Sequence, residues 1–308
     1  RSSDLTIAEA EVEKEKLNVD MYALNDRVND LYFGILLLDE QIKQNTLLQD
    51  ELERNYRQIT AYVENGIANQ ADLDAVKVEQ LNTKQKRIDL VSSRAAYLKM
   101  LSLLVGEALS PETVLEKPVP QSTVSAVSEI RRPELALFDA QGAGLQVQEK
   151  ALNVRHLPQF GLFVQGAYGN PGLDMLKNEF SPYYMAGVRL SWNFGSLYTL
   201  KNDRRVIEKK RQQLDNNRDV FLFNTRLEMT QQDQAIHSLE KQMRDDDEII
   251  RLRTNIRKAA EAKVANGTLT VTEMLRELTN ESLARQSKAM HEIQRLMGIY
   301  QLKYTIND

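Results

Sequence analysis

Few side chains in this sequence could do chemistry. Three histidines, His156, His237 and His291, share no metal-ligand spacing, and the absence of cysteine excludes disulfides and thiolate metal sites. No glycine-rich phosphate loop follows a strand pattern, and no nucleophile motif is visible. The run Asp245-Asp246-Asp247-Glu248 could in principle attract a cation, but an acidic run on a helical pattern reads first as a solvated face. A formal charge of −4 over 308 residues lacks the basic footprint of a nucleic-acid binder. The inventory offers no catalytic, cofactor-binding or metal-binding residue. It directs attention to shape.

Shape is organised by a short interruption that occurs twice. Residues 65–73 read Asn-Gly-Ile-Ala-Asn-Gln-Ala-Asp-Leu and residues 266–274 read Asn-Gly-Thr-Leu-Thr-Val-Thr-Glu-Met, with Gly267 following Gly66 by 201 residues. Asn-Gly closing a helical pattern suits a C-terminal stop, because glycine takes the left-handed conformation without a Cβ clash. A new start follows at once: Thr270 with Glu273 forms a capping box, and Asn69 with Asp72 a weaker version of it. Each unit is therefore a helix hairpin with a tight tip, at 65–70 in the first repeat and 266–270 in the second.

The legs are long. All seven prolines, Pro111, Pro118, Pro120, Pro133, Pro158, Pro171 and Pro182, fall in one central zone, so residues 1–110 and 183–308 are free to form uninterrupted elements. Leu17, Met21, Leu24, Val28, Leu31, Ile35, Leu38 and Ile42 alternate spacings of four and three. The frame continues through Asn45 and Gln49 to Leu52, Tyr56, Ile59 and Val63. This is a heptad seam, which over residues 4–64 gives a leg on the order of 90 Å. Leu81, Ile88, Val91, Ala95, Leu98 and Val105 are expected to carry the seam on the returning leg. In the second unit Ile236, Leu239 and Met243 match Ile35, Leu38 and Ile42, and Asp246 matches Asn45, so a polar group falls in both seams. An aromatic content of 6% beside 42% hydrophobic residues suits long helices packed side by side.

Residues 159–194 differ in kind. Phe160, Leu162, Val164 and Tyr168 alternate with Gly161, Phe163, Gln165, Ala167 and Gly169. After a loop marked by Pro171-Gly172, Tyr184, Ala186, Val188, Leu190, Trp192 and Phe194 alternate with Met185, Gly187, Arg189, Ser191 and Asn193. Period two over about 10 residues, with aromatics near the ends, is the pattern of a transmembrane barrel strand pair. A soluble hairpin laid on a helix is the alternative. The barrel reading is preferred because an isolated hairpin is marginal in water and the chain offers no other sheet. The fold class expected is mainly α: long antiparallel coiled-coil hairpins in two structural repeats, with one antiparallel strand pair of transmembrane type. The first repeat covers 1–107, a connector 108–132, and the second repeat 133–308, with a helix over 133–156 ahead of the strands.

Taken in order, these residues resemble the TolC-like outer-membrane efflux proteins. Arg-Pro-Glu-Leu at 132–135, a helix, then Leu-Pro-Gln-Phe at 157–160 and Gly-Ala-Tyr-Gly at 166–169 resemble the family's approach to a strand pair. Trp192-Asn193-Phe194-Gly195-Ser196 resembles its exit into the long periplasmic helix. The resemblance implies an outer-membrane location with most of the chain in the periplasm. It also implies a homotrimer forming one β-barrel in outer-membrane lipid and one α-helical tunnel, and passive conduction of substrates from an inner-membrane transporter. Carried over by position, Asn65, Gly66, Ile67, Asn266, Gly267, Thr268 and Leu269 would meet a periplasmic adaptor. Asp72, Glu273 and Arg276 would line the entrance, and Tyr184, Val188, Leu190, Trp192 and Phe194 would lie on membrane strands.

Departures from the family pattern are also visible. Asn precedes the tip glycine where the family usually has Val. Glu273 and Arg276 stand where the best-known member has two aspartates, and Val264 and Leu269 where it has a tyrosine and an arginine. The family's acidic constriction and closing bonds are therefore not carried over. Residue 202 is equivalent to residue 1 at the 201-residue offset, so the helix and strand pair of a first repeat would lie upstream, which implies an N-terminally cropped chain. Two other classes compete with the duct: a periplasmic adaptor, which predicts one hairpin flanked by lipoyl-like strands, and a coiled-coil scaffold, which leaves the strand pair unexplained.

Overall fold

The structure, a computed structural model, describes residues 2–119, 128–155, 157–170, 176, 178–192 and 194–307. Pro120, His156, Pro171-Gly172 and Asn193 lie outside the described residues. Freed from proline, the two ends of the chain form very long helices, in the order α1 (Ser2–Glu64), α2 (Gln70–Val105), α3 (Pro133–Arg155), β1 (Gln159–Gly169), β2 (Ser181–Ser191), α4 (Ser196–Ala265) and α5 (Val271–Ile306). Pro133 opens α3 at the first helical position, where its missing N–H is not needed. The described fold is mainly α with one antiparallel strand pair, as the residue patterns predict. Two compact units result: Arg1–Val19 with Pro133–Phe221, and Asp20–Arg132 with Leu222–Asp308.

In the second of these units the α1–α2 and α4–α5 hairpins share a core. Near the tips, Leu52, Ile59 and Val76 from one hairpin pack with Ala260, Val264, Val271, Met274, Leu275 and Leu278 from the other. Farther along, Phe33 and Leu36 of α1 meet Ile293 of α5. Burying an apolar side chain of this size is worth about 1.5–3 kcal/mol, so the seam, rather than intrinsic propensity, holds the legs together.

The α1 seam forms from Leu31 onward, with Ile35, Leu52 and Ile59 buried, whereas Leu17 and Met21 are exposed. The reason is length: α2 returns only far enough for Leu101 to reach Leu31. On α2 itself the inward row is Val76, Thr83, Leu90, Leu98 and Leu101. Of the expected row only Leu98 faces in; Leu81, Ile88, Val91 and Val105 are exposed. Both rows repeat every seven residues, and the inner one was concealed by Thr83. This threonine satisfies its hydroxyl on the Glu79 carbonyl at 2.8 Å, while its own carbonyl accepts from Asn45 Nδ2 at 3.1 Å and Gln49 Nε2 at 3.3 Å. The polar layer of the second hairpin joins a carboxyl group to an imidazole: Asp246 is buried, with His291 Nδ1 2.9 Å from its Oδ2. The other members of the acidic run face outward, where Asp247 pairs with Lys288 at 2.5 Å and Glu248 with Arg251 at 2.5 Å.

The described parts of the connector are pinned down. Arg94 pairs with Asp39 and donates to the carbonyls of Pro111 at 2.6 Å and Thr113 at 2.8 Å, and Lys117 bridges to Glu40 at 2.8 Å. At its other end the Arg131 N–H donates to the Ile306 carbonyl at 2.8 Å. The Arg132 guanidinium lies over Tyr22 and Tyr304, whose rings stack at 4.7 Å.

In the other unit α3 runs antiparallel to the start of α4. Arg204 donates to Asn153, Arg211 pairs with Glu149 at 3.0 Å and Arg218 with Asp139 at 2.7 Å, and Phe138 meets Phe221 edge-on. From this pair of helices the two strands project.

Candidate functional site

The tips come first, because the repeat is most exact there. Gly66 has φ 73° and Gly267 φ 69°, the left-handed region that glycine enters without strain. In the first copy Gly66 N–H donates to Val63 O and Ile67 N–H to Tyr62 O. In the second, Gly267 N–H donates to Val264 O and Thr268 N–H to Lys263 O. These paired bonds are a Schellman motif, which uses up carbonyls that the helix end would otherwise leave unpaired. The asparagine before each glycine adds the same side-chain bond, Asn65 Nδ2 to Ala61 O at 2.7 Å and Asn266 Nδ2 to Ala262 O at 2.8 Å. The correspondence extends to the far ends of α2 and α5, closed by left-handed Gly106 and Asn307, again 201 residues apart.

Asp72 and Glu273 occupy equivalent positions and have equivalent tasks. Asp72 accepts from the Asn69 N–H at 3.0 Å, and Glu273 accepts from the Thr270 N–H at 3.1 Å and the Thr270 hydroxyl at 2.8 Å, so both capping boxes are complete. The Thr270 hydroxyl and then its backbone N–H hold the Glu273 carboxyl below the usual glutamate range. Arg276 is exposed, with Glu277 as its neighbour at 3.8 Å. Ile67 is half exposed, while Leu269 packs against the tip core. Exposed groups and capping groups are thus interleaved within a few residues of each tip.

Residue reading missed what lies behind the second tip. Glu281 is 2% exposed and accepts from Thr254 at 2.7 Å, Arg285 at 2.6 Å and Arg257. Burial alone would push its carboxyl up, but the donors from Arg285, Thr254 and Arg257 bring it below the ordinary value. The signal was present: Met274, Leu278 and Glu281 follow the seam spacing, so the charge occupies a core position.

The strand pair is regular, from Gln159 opposite Ser191 to Gly169 opposite Ser181. β2 ends at Ser191, so Trp192 and Phe194 follow the strand rather than lie on it, a correction to the expected boundary. Continuing the ladder would set Trp192 against Pro158, which has no N–H to donate. Instead the two rings pack on one another at 4.4 Å as the chain turns into α4. Within the ladder one face carries Phe160, Leu162, Val164, Tyr168, Tyr184, Val188 and Leu190, and all are well exposed, Leu162 to 86% and Tyr184 to 81%. The opposite face carries Gln159, Gln165, Ser181, Arg189 and Ser191 among small and aromatic residues. An apolar sheet face so bare in water is unstable unless something apolar covers it. Among the described residues no helix is long and apolar enough to cross a membrane, and no group of side chains could hold a metal ion.

Compared with known proteins, the sequence matches no family model and no curated protein. The fold is shared with solved outer-membrane proteins. VceC of Vibrio cholerae aligns with 98% of this chain and 74% of its own, with TM-score 0.81 at 11% identity. The Campylobacter jejuni CmeC outer membrane channel covers 98% of this chain and 66% of its own, with TM-score 0.76 at 11% identity. The open-state Neisseria gonorrhoeae MtrE channel covers 99% and 70%, with TM-score 0.73 at 12% identity. The likeness is of backbone; few side chains are held in common.

Proposed function

We propose that this chain is a subunit of a TolC-like outer-membrane channel, the exit duct of a tripartite efflux or type I secretion system. Substrates pass passively from an inner-membrane transporter through a trimeric periplasmic helical tunnel and a β-barrel. The observation that carries the reading is the strand pair with one bare apolar face, in a chain that follows outer-membrane channel structures over nearly its whole length. Lipid covers the even-numbered face, water the odd-numbered one. The helices supply a second line of support. Leu81, Ile88 and Val91 on α2 and Ile249, Leu252 and Ile256 on α4 are exposed at coiled-coil spacings, and copies set side by side in a trimer would bury both stripes. Adaptor docking falls to the tips at Asn65, Gly66, Ile67, Asn266, Gly267, Thr268 and Leu269, with Asp72, Glu273 and Arg276 at the tunnel entrance.

These 308 residues contain no cysteine, so single cysteines placed here, in a full-length gene product freed of any cysteine elsewhere, give a clean test in membranes. Thiols at positions 185 and 191 are expected to react with a membrane-impermeant reagent, and thiols at 162, 184 and 188 to react only with a lipid-soluble one. Uniform reaction at every position with the impermeant reagent would replace the duct by a water-exposed hairpin on a periplasmic scaffold or adaptor.

A further inference from the structure

The odd-numbered face of the strand pair holds one charge. Arg189 is the single charged residue of β1 and β2, and the ladder offers no carboxylate to neutralise it. Its surroundings are shaped to hold it in one place. Directly across the ladder stands Gly161, whose missing side chain leaves open space, and diagonally across stands Phe163. The Arg189 guanidinium lies 5.6 Å from the centre of the Phe163 ring. That ring is itself seated on Gly187, where an added Cβ would come within 2.9 Å of it. Gly187 thus makes room for an aromatic platform on which the cation rests. The interaction leaves the N–H groups at the guanidinium edge able to donate to a passing acceptor.

We infer that Arg189 is a specificity-determining residue of the duct, a fixed cation that favours anionic solutes at the helix-proximal end of the strand pair. The inference rests on the channel reading above, since it requires the odd-numbered face to border water through which solutes move. A guanidinium held by an aromatic ring loses less freedom on meeting a carboxylate, sulfonate or phosphate than one on a loose side chain. Like-charged solutes meet repulsion that no neighbouring strand residue cancels. The solute class selected is anions that carry a carboxylate, sulfonate or phosphate group able to meet Arg189.

Ser191 is the next residue on the same face of β2. In the full-length protein, Ser191→Cys is labelled with two methanethiosulfonates of similar size, one bearing a sulfonate and one a trimethylammonium group. With the guanidinium leaning toward Gly187, a unit charge roughly 10 Å away in water is expected to favour the anionic reagent by about 2- to 4-fold over the cationic one, after correction for their rates with a free thiol. Arg189→Gln should abolish the preference and Arg189→Lys should keep most of it, which separates charge from fold. Phe163→Leu should weaken it by freeing the arginine. Raising the salt to 1 M should shrink it as well. An anion-to-cation ratio unaltered by Arg189→Gln overturns the inference while leaving the duct intact. A thiol at position 191 that neither reagent reaches overturns the duct reading itself.

Discussion

The two hairpins have the same backbone and different interiors. Their tips share the same Schellman pair, the same asparagine side-chain bond and a capping box, and both hairpins close on a left-handed residue, Gly106 and Asn307, 201 positions apart. Between the legs the correspondence is of position only. Where the first hairpin joins Gln80 to Glu53 at 3.0 Å, the second joins Glu281 to Thr254 at 2.7 Å, and where the first has Tyr56 under Lys77, the second has Arg257. Asn45 in one seam becomes Asp246 in the other. Turns and caps answer to backbone geometry and admit few residues, whereas a seam position asks only that its polar atoms find partners. At Glu281 the second hairpin has therefore buried a charge where the first has the neutral Gln80.

The largest expected effect follows from that charge. Glu281→Ala removes the buried carboxylate that Arg257 and Arg285 share, leaving Arg257 with Glu261 alone, and breaking a buried ionic cluster in this way costs about 3 kcal/mol. Gln80→Ala, the equivalent change in the first hairpin, removes neutral-side-chain bonds to Glu53, Leu52 and Lys77 that are exposed or only partly buried, and should cost about 1 kcal/mol or less. Urea unfolding of both variants measures the difference, and equal costs would mean that the seams are energetically alike despite their chemistry. Where the seams differ, the tips should not. Gly66→Ala and Gly267→Ala both force a Cβ into left-handed backbone with open space around it, so each should cost about 1–2 kcal/mol, and the two costs should agree.

What was legible in the sequence divides along the same line. Asn65-Gly66 and Asn266-Gly267 announce their turns because glycine has one dominant use after a helix, and proline-free stretches announce long legs. Strand alternation is equally plain, since a period of two flips every side chain when misread. The inward face of α2 was not legible: Leu81, Ile88 and Val91 make the more apolar row, while the row that is buried, Val76, Leu90, Leu98 and Leu101, is interrupted by the polar Thr83. Glu281 was hidden for a related reason. A carboxylate reads as surface until the arginines that surround it, 24 residues upstream at Arg257 and one turn downstream at Arg285, are brought to it by the fold.

The smallest effect is also the finest probe of the tips. Thr270→Ala and Asn69→Ala each remove a cap and should cost about 1 kcal/mol at neutral pH. Acid should act on the second tip through Glu273. Its folded carboxyl titrates below the ordinary glutamate value of 4.5, because the Thr270 hydroxyl and backbone N–H bond the ionised form. A depressed carboxyl contributes stability that is fully present above the unfolded value and is lost as pH falls through the folded one. Amide exchange at the start of α5 should therefore quicken below about pH 4.5 relative to its acid-corrected intrinsic rate. Glu273→Gln should remove most of that pH dependence while leaving the Thr270 hydroxyl still able to accept from the residue 273 N–H. If the wild-type and Glu273→Gln profiles coincide, the cap is held by the threonine alone, and the carboxylate is free for whatever meets it at the tip.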